Sequence, residues 1–209
     1  MGNKFTYLTI IVTFLGFACE DERTVIPDFN GFKKYYGGIH EEYAYGATRS
    51  FDGGYIITGF STTFSVNSNW DAWVVQIDED GNGQWAHQFG KAGREVFYAA
   101  CQASRDQYVF AGFTTSLAVT GYTYSYGIGG RNMWVMKLSQ DGDIIWDVNF
   151  GKYYNDMGYA LKETADGGFI VVGYTDVYST QYRYMWMVRL DASGKFLWEK
   201  VFDYDGFSM

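Results

Sequence analysis

The fold is decided by the stretch Leu190-Asp191-Ala192-Ser193-Gly194-Lys195-Phe196-Leu197-Trp198-Glu199-Lys200-Val201-Phe202, which predicts a strand, a tight Asp/Gly turn and a second strand bearing a Trp and then a Phe. The pattern occurs twice more upstream, in residues 77–85, closing on Phe89-Gly90, and in residues 138–146, closing on Phe150-Gly151. Three copies of one hairpin indicate a repeat protein, and this constrains the fold before any single motif does.

Tyrosine, glycine and tryptophan recur at fixed intervals and set the register of the repeat. Each second strand closes on a glycine with a tyrosine fourteen residues before it, in the pairs Tyr45 and Gly59, Tyr98 and Gly112, and Tyr159 and Gly173. One tryptophan opens each third strand and another marks each fourth strand twelve residues later, in the pairs Trp73 and Trp85, Trp134 and Trp146, and Trp186 and Trp198. Both tryptophan series are spaced by 61 and then 52 residues, so a variable loop before the third strand absorbs the difference.

Each unit is therefore predicted to contain four short antiparallel strands, in units that cover residues 38–90, 91–151 and 152–203. In the first unit Asp52-Gly53-Gly54 predicts a two-residue hairpin turn, because glycine supplies the positive φ that such a turn needs. The second unit has Arg105-Asp106-Gln107 at the same place, so we expect its first turn to be built differently. Ahead of the first unit, residues 32–37 match the end of a repeat and predict an extra leading strand.

The composition is that of a β protein and excludes one class of partner. Aromatic residues make up 21% of the chain, and there are 26 glycines and a single proline, as expected for half-buried pleated surfaces joined by glycine turns. The formal net charge is −8 and the chain has no basic run. Because nucleic-acid binding needs clustered Lys and Arg, we expect no nucleic-acid partner.

Four short strands per unit, with an aromatic residue at a constant place, is the sequence form of a propeller blade. We therefore expect an all-β fold, a β-propeller-like array of about three four-stranded antiparallel blades, with an N-terminal signal helix ahead of it. The paired tryptophans are expected to pack between neighbouring blades, where each buries a large apolar area.

Two patterns carry a family resemblance. Asp191-x-x-Gly194-x-x-x-Trp198 resembles the repeat of the pyrroloquinoline-quinone-like β-propellers, and the run from Asp52 to Gly59 resembles blades of secreted propeller lipoproteins of the Bacteroidetes. The resemblance covers residues 32–202 and implies the fold. Because many propellers of this form bind no quinone, it implies no cofactor, and we expect none.

Three units are fewer than the four to eight blades of most propellers. The last unit carries its own fourth strand, so the extra strand at residues 32–37 has no vacant place in it, and residues 204–209 resemble the opening of a further blade. We therefore expect the chain to be part of a longer propeller. The alternatives are a ring closed by oligomerisation or an open array with exposed strand edges, which favour aggregation.

Residues 1–18 predict a secretory signal peptide, because one cation precedes an apolar run too short to span a bilayer. The run ends at Cys19 and resembles a bacterial lipoprotein signal, in which this cysteine is acylated, although Gly16 stands where that family prefers leucine. The acidic residues 20–22 resemble the tag that sends Bacteroidetes lipoproteins to the cell surface. The resemblance implies a tether over residues 19–30 and an outer-membrane location, periplasmic or surface-exposed. The alternative is an ordinary signal peptide with an incidental cysteine.

Motifs for metal binding and catalysis are incomplete. Asp78-x-Asp80-x-Asn82-Gly83 fits the first half of an EF-hand calcium loop, but Phe89 occupies the twelfth position, where a bidentate Glu is needed. The other Asp residues fall in predicted turns, where Asp is favoured for backbone reasons alone. We expect no metal, no catalytic residue and no enzymatic activity.

The loops between the second and third strands of the units are rich in aromatic residues that would cluster on one rim of a propeller. The candidate ligand-binding residues are Trp70, Tyr122, Tyr124, Tyr126, Tyr178, Tyr182 and Tyr184. Aromatic rings with a polar tip are common at interfaces, whereas the alternative is that they cover their own loops.

These observations favour a lipid-anchored binding or scaffold module of the cell envelope, attached to the membrane through Cys19 and contacting a protein partner. A surface glycan-binding module that uses the rim aromatics is the alternative. The third hypothesis is a fragment of a propeller enzyme of the quinoprotein or hydrolase type.

Overall fold

A computed structural model describes residues 33–65, 69–90, 93–104, 106–116, 123–125, 130–151, 155–176 and 182–202, with the backbone alone at 123–125. Within these ranges the chain forms strands, turns and loops and no helix. The chain divides into two compact units, residues 1–33 and 34–209, and every strand belongs to the second. The predicted signal helix, the tether and Cys19 lie outside the described residues.

Thirteen strands are described, and all but β7 were predicted from the repeat. They are β1 (Glu42–Arg49), β2 (Tyr55–Ser61), β3 (Asp71–Ile77), β4 (Gly83–Phe89), β5 (Glu95–Ala103), β6 (Gln107–Thr114), β7 (Thr123–Ser125), β8 (Asn132–Leu138), β9 (Ile144–Gly151), β10 (Asp156–Glu163), β11 (Phe169–Asp176), β12 (Arg183–Leu190) and β13 (Phe196–Phe202).

The strands form three sheets, each from one stretch of chain. The first sheet has the order β1-β2-β3-β4 and the third has the order β10-β11-β12-β13. The second has the order β5-β6-β8-β9, with β7 added in parallel to the outer strand β9. The predicted three four-stranded antiparallel units are thus confirmed.

The predicted leading strand at residues 32–37 is wrong for its described part, since residues 33–38 form no strand. Side chains hold this segment against the turn between β3 and β4. The Lys34 Nζ donates to the carbonyl oxygen of Asp80 at 2.9 Å, and the Tyr36 hydroxyl donates to that of Gly81 at 2.6 Å. A repeat-end sequence becomes a strand only when a neighbouring strand pairs with its backbone.

Five hairpin turns share one backbone design, a three-residue loop and not the predicted two-residue one. In the first, the Gly53 N–H donates to the Ser50 carbonyl at 3.4 Å and the Ser50 N–H donates to the Gly54 carbonyl at 3.0 Å. The third loop residue is a glycine with positive φ in every case: Gly53 (95°), Gly81 (73°), Gly142 (87°), Gly167 (79°) and Gly194 (82°). This is a turn followed by a left-handed residue, which suits the twist of the flanking strands.

The first turn of the second sheet also has a residue with positive φ, although its sequence differs. Asp106 has φ 57° at the place of Gly53, and it is the one non-glycine residue with positive φ in the part of the chain that the structure describes. Ala103 pairs with Gln107 beneath it. The position of Gly53 is thus taken by an aspartate, which tolerates the left-handed region better than most residues; residue 105 of this turn lies outside the described residues.

A β-bulge explains the tyrosine–glycine interval. The pairing of each first strand with its second slips by one residue, and the extra residues are Tyr45, Tyr98 and Tyr159. Opposite each bulge lies the repeated glycine, where an added Cβ would overlap a backbone carbonyl oxygen of the bulged strand; for Gly112 this is the oxygen of Val96. The bulge and the glycine therefore form one structural unit.

The first prediction concerns this close approach. Gly112→Ala forces the bulged backbone to move, so we expect the free energy of unfolding to fall by roughly 2–4 kcal/mol, measured by urea denaturation. Gly83→Ala is the matched control, because it also lies in a strand but has no atom within 4 Å of an added Cβ. Equal losses in the two variants would contradict the role of the bulge.

The core lies between the sheets. Strand β5 packs against β1, β2 and β3, and β10 packs against β5, β6 and β8, so the first and second sheets are each covered by the next. Trp134 lies in the apolar cluster between the first and second sheets, and Trp186 lies in the one between the second and third. Both are buried, as is Trp146 in the second cluster, so the prediction that the paired tryptophans pack between units is confirmed for these three. It is wrong for Trp198, which is 40% exposed, while Trp73 and Trp85 are half-buried.

Candidate binding site

The bulges place one tyrosine from each sheet in a single column. The ring centroids of Tyr45 and Tyr98 are 5.0 Å apart, and those of Tyr98 and Tyr159 are 4.9 Å apart. Tyr45 and Tyr159 remain 48% and 47% exposed, and Tyr98 between them is half-buried. Bulges commonly redirect a side chain in this way, since the extra residue leaves the strand alternation.

Each column tyrosine rests on an aromatic residue of its own sheet. The partner is the residue that follows the repeated glycine, and the pairs are Tyr45 with Phe60 at 6.1 Å, Tyr98 with Phe113 at 6.1 Å and Tyr159 with Tyr174 at 5.9 Å. The three partners are buried in one cluster with Val96 and Met157. The column therefore stands on a continuous apolar base that crosses all three sheets.

Arginines lie over two rings of this base. The guanidinium of Arg131 lies 4.8 Å from the ring of Phe113, and that of Arg183 lies 4.6 Å from the ring of Tyr174. Both positions precede a third-strand tryptophan by three residues. The geometry is that of a cation–π contact, which also keeps the charged head at the surface.

The first sheet has a tryptophan at this position. Trp70 stacks on Phe60 with a centroid distance of 4.7 Å and an interplanar angle of 21°, and Arg94 then lies 5.0 Å from the Trp70 ring. The second and third sheets thus present an arginine over the aromatic base, whereas in the first sheet Trp70 takes that position and Arg94, which precedes β5, lies over Trp70. We call this surface the tyrosine–arginine face; its members are Tyr45, Tyr98, Tyr159, Phe60, Phe113, Tyr174, Trp70, Arg94, Arg131 and Arg183.

Tyr98 at the centre of the column holds its proton strongly. Burial, together with the neighbouring Tyr159 and Tyr45 and against an opposing effect of Arg131, raises the pKa of Tyr98 to about 12. Burial also raises the pKa of Tyr174, with Arg183 opposing. Tyr98 and Tyr174 therefore offer neutral hydroxyl groups, which both donate and accept hydrogen bonds, beside permanent guanidinium charges.

Carboxylates support the strands beneath the face. Glu95 opens β5, is buried, and accepts a hydrogen bond from the Thr114 hydroxyl at 2.8 Å. Asp71 opens β3; burial raises the pKa of its carboxyl, and the charge of Glu95 raises it further. The Gln88 amide donates to Asp71 at 2.7 Å. These acids hold the strand ends and do not reach the column through any described hydrogen bond.

The rim residues chosen from the sequence are scattered. Trp70 lies in the face, whereas Tyr184 packs against the core between the second and third sheets and Tyr182 is exposed. Tyr124 lies in β7, where only the backbone is described. The remaining three lie outside the described residues: Tyr122, Tyr126 and Tyr178.

Sequence reasoning missed most of the face. The column tyrosines were found only as markers of register, and Arg131 and Arg183 were not selected. The signal that would have found them is the repeat itself, because positions that recur in all three units come together where the sheets stack.

Neither a metal cluster nor a membrane helix is found in the described part of the chain. No group of three or more His, Cys, Asp or Glu side chains is placed to hold a metal ion there. No helix in these ranges is long and apolar enough to cross a bilayer. The acidic turn that resembled a calcium loop is held together by its own side chains, since Asp78 accepts the Asn82 N–H at 2.7 Å.

The sequence matches no protein-family model, and no curated protein matches it significantly.

A second prediction follows from the raised pKa of Tyr98. Because the pKa is about 12 in the folded protein and 10.0 ordinarily, the unfolded chain loses this proton first. The free energy of unfolding should therefore fall as the pH rises from about 10 towards 12. Urea denaturation across this range should show a smaller loss for Tyr98→Phe than for the wild type, and an identical loss would contradict the assignment.

Proposed function

We propose that the three sheets are consecutive blades of a β-propeller-like array and that the protein is a non-enzymatic binding module of the bacterial cell envelope. The packing of each sheet's first strand on the preceding sheet supports the array, since β1, β5 and β10 lie side by side. The lipoprotein-like sequence around Cys19 supports attachment to the outer membrane through a lipid.

The observation that carries the binding role is the half-exposed tyrosine column. Tyr45 and Tyr159 remain about half exposed, so they lack much of the stabilisation that full burial gives to aromatic rings elsewhere in the chain. Aromatic rings and arginines are the residues enriched at binding hot spots, because they combine a large contact area with directed polar groups. The face has both: the second and third sheets share one arrangement, and in the first sheet Trp70 takes the place of the arginine.

A protein segment is the ligand that suits this arrangement best. The column rings are tilted by 58° and 42° to each other, so they form a ridged surface, not a flat platform. A ridged aromatic surface bordered by guanidinium groups fits a peptide with apolar and carboxylate side chains. This agrees with a scaffold role, in which the module holds another envelope protein.

A surface glycan is the second candidate. Tyr43 and Tyr45 are both about half exposed and nearly parallel, with an interplanar angle of 16° and a centroid distance of 6.3 Å. The outer ring of such a stacked pair can contact the face of a sugar ring, with the hydroxyl groups as hydrogen-bonding partners. The two candidates use overlapping residues but differ in their dependence on Tyr43.

The third prediction tests the binding role with a random-peptide display library and a glycan array. Peptides selected on the wild type should bind at least tenfold more weakly to Tyr45→Ala/Tyr159→Ala, because the loss of a hot-spot side chain costs more than about 1 kcal/mol. Tyr35→Ala, at an exposed tyrosine outside the face, is the control. Glycan binding that is lost in Tyr43→Ala would favour the second candidate, and no ligand from either library would contradict the proposal.

The fourth prediction tests the anchor. Cys19→Ser removes the only thiol available for acylation at the end of the signal-like run. We expect the wild type, made in a bacterium with lipoprotein processing, to partition with membranes and the variant to be released after cell lysis. Cys101→Ser is the control. Equal membrane partition of the two variants would contradict lipid attachment at Cys19.

A further inference from the structure

Tyr98 lies at the centre of the column, with a tyrosine of another sheet on each side. Its ring centroid is 5.0 Å from that of Tyr45 and 4.9 Å from that of Tyr159. The three residues belong to β1, β5 and β10, which are the first strands of the three sheets. The column therefore connects all three sheets through side chains of one chemical type.

The tilt of the rings brings ring edges, not parallel faces, together. The planes of Tyr45 and Tyr98 are inclined by 58°, and those of Tyr98 and Tyr159 by 42°. Tilted aromatic rings direct the edge of one ring towards its neighbour. At these centroid distances the ring carbons of adjacent tyrosines lie close to van der Waals contact.

The hydroxyl ends of the rings are also near one another. Both Tyr159 and Tyr45 contribute, after burial, to the raised pKa of Tyr98. The electrostatic effect of one phenol on another falls with the distance between their oxygen atoms. The ring carbons next to the hydroxyl-bearing carbon, where two phenoxyl radicals couple, are therefore close as well.

Solvent reaches the column. Tyr45 and Tyr159 are about half exposed, and Tyr98 between them is half-buried. An oxidised phenol must release its proton, and water at this surface is available to accept it. A radical formed on either exposed tyrosine has Tyr98 as its neighbour.

We propose that the column is a site of oxidative cross-linking, at which Tyr98 is joined to Tyr45 or to Tyr159 by a carbon–carbon bond. The co-reactant is a one-electron oxidant, such as a haem peroxidase with hydrogen peroxide. The proposal requires only the distances and the access described above. It does not rest on the binding role of the face.

The reaction balances without any further reactant. Each of the two phenols loses one electron and one proton, and the two radicals form a bond between the ring carbons next to their hydroxyl-bearing carbons. The hydrogens on these two carbons then move to the oxygens through solvent, which restores both phenols. Hydrogen peroxide takes up the two electrons and the two protons and is reduced to two molecules of water.

Two further tyrosine pairs of this surface have a different geometry. The rings of Tyr43 and Tyr45 are nearly parallel, at 16°, and their centroids are 6.3 Å apart. The centroids of Tyr159 and Tyr174 are 5.9 Å apart, and Tyr174 is buried. We therefore expect coupling at Tyr98 ahead of coupling in either of these pairs.

The new bond would tie together sheets that share no strand pairing. Strands β1, β5 and β10 belong to three separate sheets, and they pack against one another through side chains. A bond between Tyr45 and Tyr98 closes a loop of roughly 50 residues, which restricts the unfolded chain as a disulfide does. The cross-link should therefore stabilise the association of the sheets.

The experiment treats the purified full chain in detergent with a haem peroxidase and hydrogen peroxide, and isolates the monomer by denaturing electrophoresis. Trypsin cleaves after Lys and Arg, so the column tyrosines fall on three separate peptides, residues 35–49, 95–105 and 153–162. Tyr98 is the only tyrosine of residues 95–105. A cross-linked pair that contains this peptide therefore identifies Tyr98.

We expect the treated monomer to lose the mass of two hydrogens and to show dityrosine fluorescence, with residues 95–105 joined to residues 35–49 or 153–162. The yield should not change on dilution, because the bond forms within one chain, and unfolding in urea before oxidation should abolish the selectivity. Cross-links that exclude residues 95–105 would overturn the proposal. So would a monomer without dityrosine in a mixture that converts free tyrosine.

Conservative variants assign the bond, since phenylalanine keeps the ring and removes the hydroxyl group. Tyr98→Phe should lose both cross-linked pairs, whereas Tyr45→Phe should lose only the pair with residues 35–49. Tyr35→Phe is the matched control, because Tyr35 is 82% exposed and lies on the same tryptic peptide as Tyr45 but outside the column. Persistence of that pair in Tyr45→Phe, or its loss in Tyr35→Phe, would overturn the assignment.

Urea denaturation of the oxidised monomer provides a second measurement. The midpoint should rise by roughly 1 M or more, because the cross-link restricts the unfolded chain, and Tyr98→Phe treated in the same way should show no rise. An unchanged midpoint in a monomer that carries the bond would contradict the tie between the sheets. Failure of cross-linking leaves the binding role untouched, since ligand binding is measured on the unoxidised protein.

Discussion

The structure depends on the close approach of two backbones at the bulge of each first strand. Where Gly112 faces β5, the carbonyl oxygen of Val96 occupies the space in which any other residue would place its Cβ. This contact lets β5 carry an extra residue without losing its partner strand, and it turns Tyr98 out of the strand alternation. The aromatic base, the arginines over it and the stacking of successive sheets are all arranged around the residue displaced in this way.

The strands could be predicted because their signals are local. A turn with a left-handed third residue, flanked by apolar and aromatic residues, specifies a hairpin without reference to the rest of the chain. Residues 33–38 match the end of a repeat but form no strand, and the reason is non-local. A strand needs a partner strand, and a short stretch of sequence does not show whether one is present. At Asp106 the limit is local. The turn needs a residue with positive φ, and glycine is only the commonest residue that provides it.

The tyrosine–arginine face could be predicted only in part, because its residues come together by stacking of sheets. Trp70 was found from the aromatic richness of a loop, whereas Arg131 and Arg183 precede their strands as single charges that resemble ordinary surface residues. Their position over Phe113 and Tyr174 depends on cross-strand pairing. The constant tyrosine–glycine interval showed that a structural feature recurs in every unit. A bulge has no distinct sequence pattern, so the direction in which it turns the tyrosine side chain could not be predicted.

Each sheet is formed by one uninterrupted stretch of chain, and its antiparallel pairs join strands that follow one another in sequence, except that β7 lies between β6 and β8. Most of the loops that must close are therefore short, and the entropy lost in forming those hairpins is small. Local pairing of this kind favours fast folding in successive sheets. It also means that duplication or deletion of a whole repeat breaks no antiparallel strand pair, so a gene encoding this array can change in length while every remaining sheet keeps its hydrogen bonds.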